Sequence, residues 1–158
     1  MYSKLVNEIG LQKKLPIIGK GNAEDIINKF QRLNNENYSI IEITLRSEEA
    51  LQTAINLKQK YPNIKIGLGS IKSVNDLIEV SNYNFDFYIS PGINKKMLDY
   101  SNKNNIFLIP GVSSSSEILT AIEYDLKLLK YFHAEINGGV DSLKVLKDIF
   151  QDIRFIPT

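Results

Sequence analysis

Short runs rich in Ile, Val, Phe and Tyr recur along the chain, and between them lie stretches whose apolar residues fall three and four apart, the spacing of one helix face. The runs are Leu15 to Ile18, Ser39 to Thr44, Ile64 to Leu68, Phe85 to Ile89, Ile106 to Ile109, Lys127 to Phe132 and Ile153 to Ile156. The stretches between them predict helices over Ala23 to Leu33, Glu48 to Lys60, Val74 to Val80, Lys95 to Asn102, Ser116 to Tyr124 and Ser142 to Phe150. Runs this short, without polar alternation, suit strands of a parallel sheet covered on both faces. Helix-start signals support the register. Ser47 precedes Glu48, Ser73 precedes Val74 with Asp76 nearby, and Ser114 to Ser116 precede Glu117, each setting a capping hydroxyl before an apolar run.

A regular β-then-α step of roughly 20 to 25 residues favours a closed barrel over a doubly wound open sheet. No G-x-G-x-x-G and no P-loop follows any of the runs, which weakens the nucleotide-binding alternative. The pattern stops at Pro157 and Thr158, directly after the seventh run. The expectation is therefore an α/β chain folded as a (β/α)8 TIM barrel truncated after the seventh strand, a single domain over residues 1–158 with the C-terminal strand and last two helices missing.

Composition narrows the function more than the fold. The 158 residues carry 19 Lys plus Arg against 18 Asp plus Glu, so no strong surface potential favours nucleic acid or an anionic membrane, and a small molecule is the expected partner. With no cysteine and one histidine there is no disulfide, no thiol nucleophile and little material for a metal cluster. The N-terminal stretch MYSKLVNEIGLQKKLPII has no apolar run of signal-peptide length, and the chain reads as cytoplasmic.

In a parallel barrel, side chains at the C-terminal strand ends converge on one mouth. The second run, IIEITLRS, sets Glu42 and Thr44 on one face and Arg46 just past its end; the third ends in IGLGS, with Gly67, Gly69 and Ser70. Lys130 is the most informative residue, since it sits inside the apolar run LLKYFHAEINGG, where an ammonium is costly unless paired or deprotonated. It is either a neutral amine kept to attack a carbonyl or an outward-facing lysine whose stem lies along a helix. Glu42, between Ile41 and Ile43, is either a general acid–base group or half of a structural ion pair, and a pair with Lys130 satisfies both readings. Arg46 suits a bidentate carboxylate clamp, with a surface salt bridge as the alternative. His133 reads as a proton shuttle or a structural residue, Ser113 to Ser116 as a loop and helix cap rather than a nucleophile, and Gly138 with Gly139 as a turn or an anion site.

Six motifs in order, LPII, EITLRS, GLGS, ISPG, IPGVSSSSE and LKYFHAEINGG, followed by RFIPT, resemble the 2-keto-3-deoxy-6-phosphogluconate (KDPG) aldolase family, which includes the 4-hydroxy-2-oxoglutarate aldolases. The resemblance implies a class I aldolase in which Lys130 forms a Schiff base with the C2 carbonyl of pyruvate and Glu42 moves the protons. It further implies that Arg46 holds the pyruvate carboxylate, that Ser70 stands where threonine is usual, and that Thr44, Pro91, Phe132 and Thr158 complete the substrate site. No metal or other cofactor is implied, because the imine itself takes up the electron pair of the broken C–C bond. A homotrimer is the expectation by analogy. His133 stands where proline is usual, and the phosphate-binding loops expected after strands seven and eight are absent. That absence motivates a second expectation, a noncatalytic ligand-binding or assembly relative of the same fold.

Overall fold

In the computed structural model, which describes residues 2–158, strands and helices alternate along the chain and every strand pairing is parallel. The strands are β1 (Ile17–Ile18), β2 (Ile40–Thr44), β3 (Lys65–Gly69), β4 (Phe87–Ile89), β5 (Leu108–Ile109), β6 (Gly111–Val112), β7 (Leu128–Tyr131) and β8 (Arg154–Pro157). They form one sheet in the order β1 to β5 and a second in the order β6 to β8. β5 and β6 are a single strand position interrupted at Pro110. A proline has no N–H to give to a ladder, so pairing passes there from β4 on one side to β7 on the other. The Pro110 carbonyl still accepts the Lys130 N–H at 3.0 Å, which anchors the second sheet at the break. The result is seven strand positions of a (β/α)8 barrel taken in sequence order, with β1 and β8 as free edges.

The helices are α1 (Tyr2–Gln12), α2 (Ala23–Asn35), α3 (Ala50–Lys60), α4 (Val74–Ser81), α5 (Lys95–Lys103), α6 (Ser115–Glu123) and α7 (Gly139–Ile149). Capping explains most of their starts. Asn22, Ser73 and Ser114 each accept from the third backbone N–H of their helix, and Asp25, Asp76 and Glu117 return a bond to the cap residue's own N–H. Ser47 does not behave as expected. Helix α3 begins only at Ala50, its cap position is Glu49 with no side-chain bond, and the Ser47 hydroxyl is buried without a hydrogen-bond partner among the described residues. Helix α7, by contrast, starts earlier than expected, at Gly139, with Gly138 in a left-handed conformation at φ 95°.

Helix α1 was not among the expected elements, and it decides the shape of the interior. Strand alternation puts Ile40, Phe87, Ile89, Phe107, Ile109 and Leu128 on the inward face, where they form one buried cluster with Leu5, Val6 and Ile9 of α1. The helix thus plugs the end of the barrel from which the strands start. It is tied down by the ion pair between Glu8 and Lys65, and by Gln12, whose side-chain amide bonds backbone groups of Ser39 and Ile40. The outward residues Ile41, Ile43, Ile66, Leu68, Tyr88, Leu108, Leu129 and Tyr131 form a second cluster with Phe30, Ala54, Leu57, Leu77, Leu98 and Ile118 of the helices. Two residues farther along β2 and β7 than Ile40 and Leu128, on the same inward face, come Glu42 and Lys130.

Candidate active site

Glu42 and Lys130 face the same interior space from strands four positions apart, above the apolar layer that α1 closes from below. Both are buried, with 1% and 6% of their surfaces exposed, and Lys130 Nζ lies 3.8 Å from Glu42 Oε1. That separation is a charge contact and too long for a good hydrogen bond. Neither Glu42 oxygen has a hydrogen-bond partner among the described residues. The outward-facing reading of Lys130 is therefore not the one the structure adopts.

Burial dominates the ionisation of both groups. It pushes the Glu42 carboxyl up from its ordinary range, against the lowering pull of Lys130 and Arg46. It pushes the Lys130 amine down, opposed by Glu42 and assisted by the positive charge of Arg46. A lysine held this way keeps more neutral amine near neutrality than a free one, which is the form that attacks a carbonyl. The Phe132 ring stands 5.0 Å from Nζ and forms one wall of the space.

The other expected site residues divide into two groups. Arg46, exposed just past β2, donates from Nε to Ser70 Oγ at 3.0 Å, so Ser70 is an acceptor here. Ser70 itself adopts a left-handed conformation at φ 67°, uncommon for a residue with a side chain, at the turn where β3 ends. These two belong with the Lys130–Glu42 pair, since Arg46 acts electrostatically on both. Thr44 is buried and its hydroxyl donates to the Ile18 carbonyl at 3.1 Å, so it braces β1 against β2. Thr158 is exposed and engaged through its backbone: its N–H donates to Tyr131 and its carbonyl accepts from Ala134. Pro91 is exposed in the loop after β4, and its carbonyl occupies the space where Gly111 would carry a Cβ. His133 is exposed, with its ring against that of Phe132.

Further residues shape this region, among them the two glycines of the third strand. Gly69 leaves open the place that the Glu42 carboxylate fills, and Gly67 does the same for the Phe87 ring. The Tyr131 hydroxyl, outside the barrel, meets Ser142 Oγ at 2.8 Å and donates to the Asn137 carbonyl at 2.7 Å, fixing the turn that follows the lysine strand. Two clefts lie away from the pair. One of about 760 Å³ sits at the strand-start end, lined among others by Glu8, Lys65, Asp86 and Phe107. The other, about 720 Å³, lies between the free edges and is lined among others by Ile17, Ile156, Pro157 and Thr158. Among the described residues no cluster of His, Cys, Asp or Glu is arranged to hold a metal ion, and no helix is long and apolar enough to cross a membrane.

Residues 6–158 match the family model described as KDPG and KHG aldolase. The chain belongs to the KDPG and KHG aldolase family. It is 33% identical over 144 residues to the KHG/KDPG aldolase of Escherichia coli K12, covering 91% of this chain and 68% of that one. Against the 2-dehydro-3-deoxy-phosphogluconate aldolase of Pseudoalteromonas atlantica it is 40% identical over 119 residues, 75% of this chain but only 55% of the relative's length. The KDPG aldolase of Legionella pneumophila, solved with pyruvate captured as a covalent carbinolamine intermediate, superposes with a TM-score of 0.86 at 30% identity, over 91% of this chain and 70% of that one. The family's barrel is the architecture seen here.

Proposed function

We propose that this member of the family is a class I aldolase that cleaves KDPG or a related 4-hydroxy-2-keto acid to pyruvate and an aldehyde such as glyceraldehyde 3-phosphate. The observation that carries the proposal is the buried Lys130 amine 3.8 Å from the buried Glu42 carboxyl, which has no hydrogen-bond partner among the described residues. Neutral Nζ of Lys130 adds to the C2 carbonyl of the keto acid to give a carbinolamine. Protonation of its hydroxyl by Glu42, whose raised pKa keeps a proton available, expels water and leaves an iminium ion. The C3–C4 bond then breaks: its electron pair moves into the iminium to give an enamine, and a base takes the C4 hydroxyl proton as the aldehyde forms. Protonation of the enamine at C3 and hydrolysis of the imine release pyruvate and restore the amine. In this reading Arg46 and Ser70 hold the substrate carboxylate, and Thr44, Pro91, Phe132 and Thr158 are the further substrate-site residues that the family resemblance implies.

The same reading takes residues 1–158 as one aldolase-type unit acting on a small-molecule keto acid, as a cytoplasmic homotrimer. The exposed apolar side chains Ile136, Val140 and Ile149 at and after the β7 end are compatible with such an assembly, which sedimentation equilibrium tests. A noncatalytic relative is less well supported. A buried lysine and carboxylate that make no hydrogen bond to each other are a poor structural device, and an apolar pair serves stability better. Treatment with pyruvate and sodium borohydride, followed by peptide mass mapping, tests the proposal. The expected result is a reduced pyruvyl adduct on Lys130; no adduct on that residue overturns it.

A further inference from the structure

We infer that Gly69 is a positioning residue for the Glu42 carboxyl, holding it against Lys130 by leaving a place that only a residue without a side chain leaves. The inference rests on the aldolase reading for its catalytic meaning, but its geometry stands alone. Gly69 lies on the inward face of β3, with Thr44 of β2 beside it in register and Glu42 two residues back on the same face of β2. A Cβ built at Gly69 overlaps Glu42 Oε1, comes to 2.8 Å from Cδ and to 3.1 Å from Cγ. Real Cβ atoms do not approach other atoms that closely, so either the carboxyl moves or β3 does.

What makes this contact decisive is how little else holds the carboxyl. Neither oxygen has a hydrogen-bond partner among the described residues, and the Lys130 ammonium at 3.8 Å pulls without fixing a direction. The groups that act on it electrostatically are Lys130 and Arg46, both cations on the mouth side. Its placement is therefore set by packing, and Gly69 is the wall it packs against. Gly67, on the same face of the same strand and beside Glu42 in register, supplies the comparison, because the three atoms nearest a Cβ there all belong to the Phe87 ring and none to the Glu42 carboxyl.

The test reads Lys130 directly. The pH dependence of Lys130 acetylation by acetic anhydride, measured by peptide mass spectrometry, gives the amine's titration midpoint without requiring turnover. Glu42 raises the Lys130 pKa, so displacing its carboxyl lowers the midpoint. Gly69→Ala is expected to shift it downward, in the direction of Glu42→Gln, while Gly67→Ala leaves it in place even where it lowers the melting temperature. Shortening the acid makes room for the added methyl. In a Glu42→Asp background Gly69→Ala should therefore cost little further in midpoint, melting temperature or kcat, whereas alone it should reduce kcat by about 100-fold, the scale of loss from an ångström of misplacement. A folded Gly69→Ala protein with the wild-type midpoint overturns the inference, as does an equal loss of melting temperature in the Glu42 and Glu42→Asp backgrounds if the single variant is too unstable to titrate. Variants that show the expected midpoint shifts, together with a wild-type protein that forms no pyruvate adduct, instead overturn the aldolase reading and leave the positioning of Glu42 by Gly69 standing.

Discussion

The ammonium of Lys130 stands 5.0 Å from the centre of the Phe132 ring, so the amine that is the nucleophile of the proposed mechanism has an aromatic face on it as well as the Glu42 carboxyl. The negative ring face stabilises the charged form by about 0.5 to 2 kcal/mol, more when water is excluded. Phe132→Leu keeps the wall apolar and removes that contribution. Its expected effect is a further downward shift of the Lys130 titration midpoint, by about 0.4 to 1.4 pH units since one unit corresponds to about 1.4 kcal/mol. The pH dependence of pyruvate adduct formation under borohydride measures it, and an upward shift would show that the ring acts mainly by excluding water.

The same pair should be a burden on stability. Two ionisable groups are taken out of water and meet in a charge contact at 3.8 Å, with neither carboxyl oxygen hydrogen-bonded among the described residues. Lys130→Met alone leaves a buried carboxyl with its main cation gone and is expected to destabilise. The double variant Lys130→Met with Glu42→Leu should match wild type or exceed it by about 1 to 4 kcal/mol in urea unfolding, while losing all adduct formation. A double variant less stable than the single one would mean that the pair organises its surroundings in a way the distances do not reveal.

Helix α1 supplies a different kind of prediction, because its apolar face is part of the barrel interior. Ile9 is 6% exposed and packs with Leu5, Val6, Ile40, Phe107 and Leu128. Ile9→Ala should lower unfolding free energy by about 2 to 5 kcal/mol, the usual cost of truncating a buried branched side chain to alanine. Its effect on pyruvate adduct formation at a temperature where the variant is folded should be small, since α1 closes the barrel at the end opposite the mouth. Urea melts and borohydride trapping on the same sample separate the two.

How much of this was legible in the sequence follows from which force fixes each feature. Strands β2, β3 and β7 and the α4 and α6 starts depend on local patterns, an unbroken apolar run or a serine three residues before an acid, and they fell where the patterns put them. Helix α1 lies outside the expected elements, although its apolar residues Leu5, Val6 and Ile9 have the spacing of a helix face. Ser47 failed as a cap because a hydroxyl before a helix is a weak signal when the chain first makes a turn, here with Ala50 N–H bonded to the Ser47 carbonyl. Lys130 and Glu42 were legible as costly residues in apolar strands, and the family resemblance ordered them. The requirement for Gly69 was not, since a steric fit between β2 and β3 depends on register and on a side-chain path that no linear pattern records.

The capping boxes make the last prediction, one of pH. Hydrogen bonding from the Ser73 side chain is the largest influence on Asp76 and holds its carboxyl below the ordinary range, with the Lys72 and Ser73 backbone N–H groups assisting against some burial. At Glu117 burial pushes upward, but bonds from the backbone and hydroxyls of Ser113 and Ser114 outweigh it and leave the pKa lowered. A carboxyl whose folded pKa is depressed contributes stability that is complete above its unfolded value and is lost as pH falls through the folded one. Both boxes should therefore stabilise fully at neutral pH and fail progressively below about pH 4. Ser73→Ala and Ser114→Ala should each cost about 1 kcal/mol at pH 7, typical of a lost cap. In acid that difference from wild type should shrink, because the partner carboxyls begin to take up protons in the parent as well. Urea denaturation of the three proteins at pH 7 and pH 3 measures it; a gap as large in acid as at neutrality would mean that the serine hydroxyls cap the helices without help from the carboxylates.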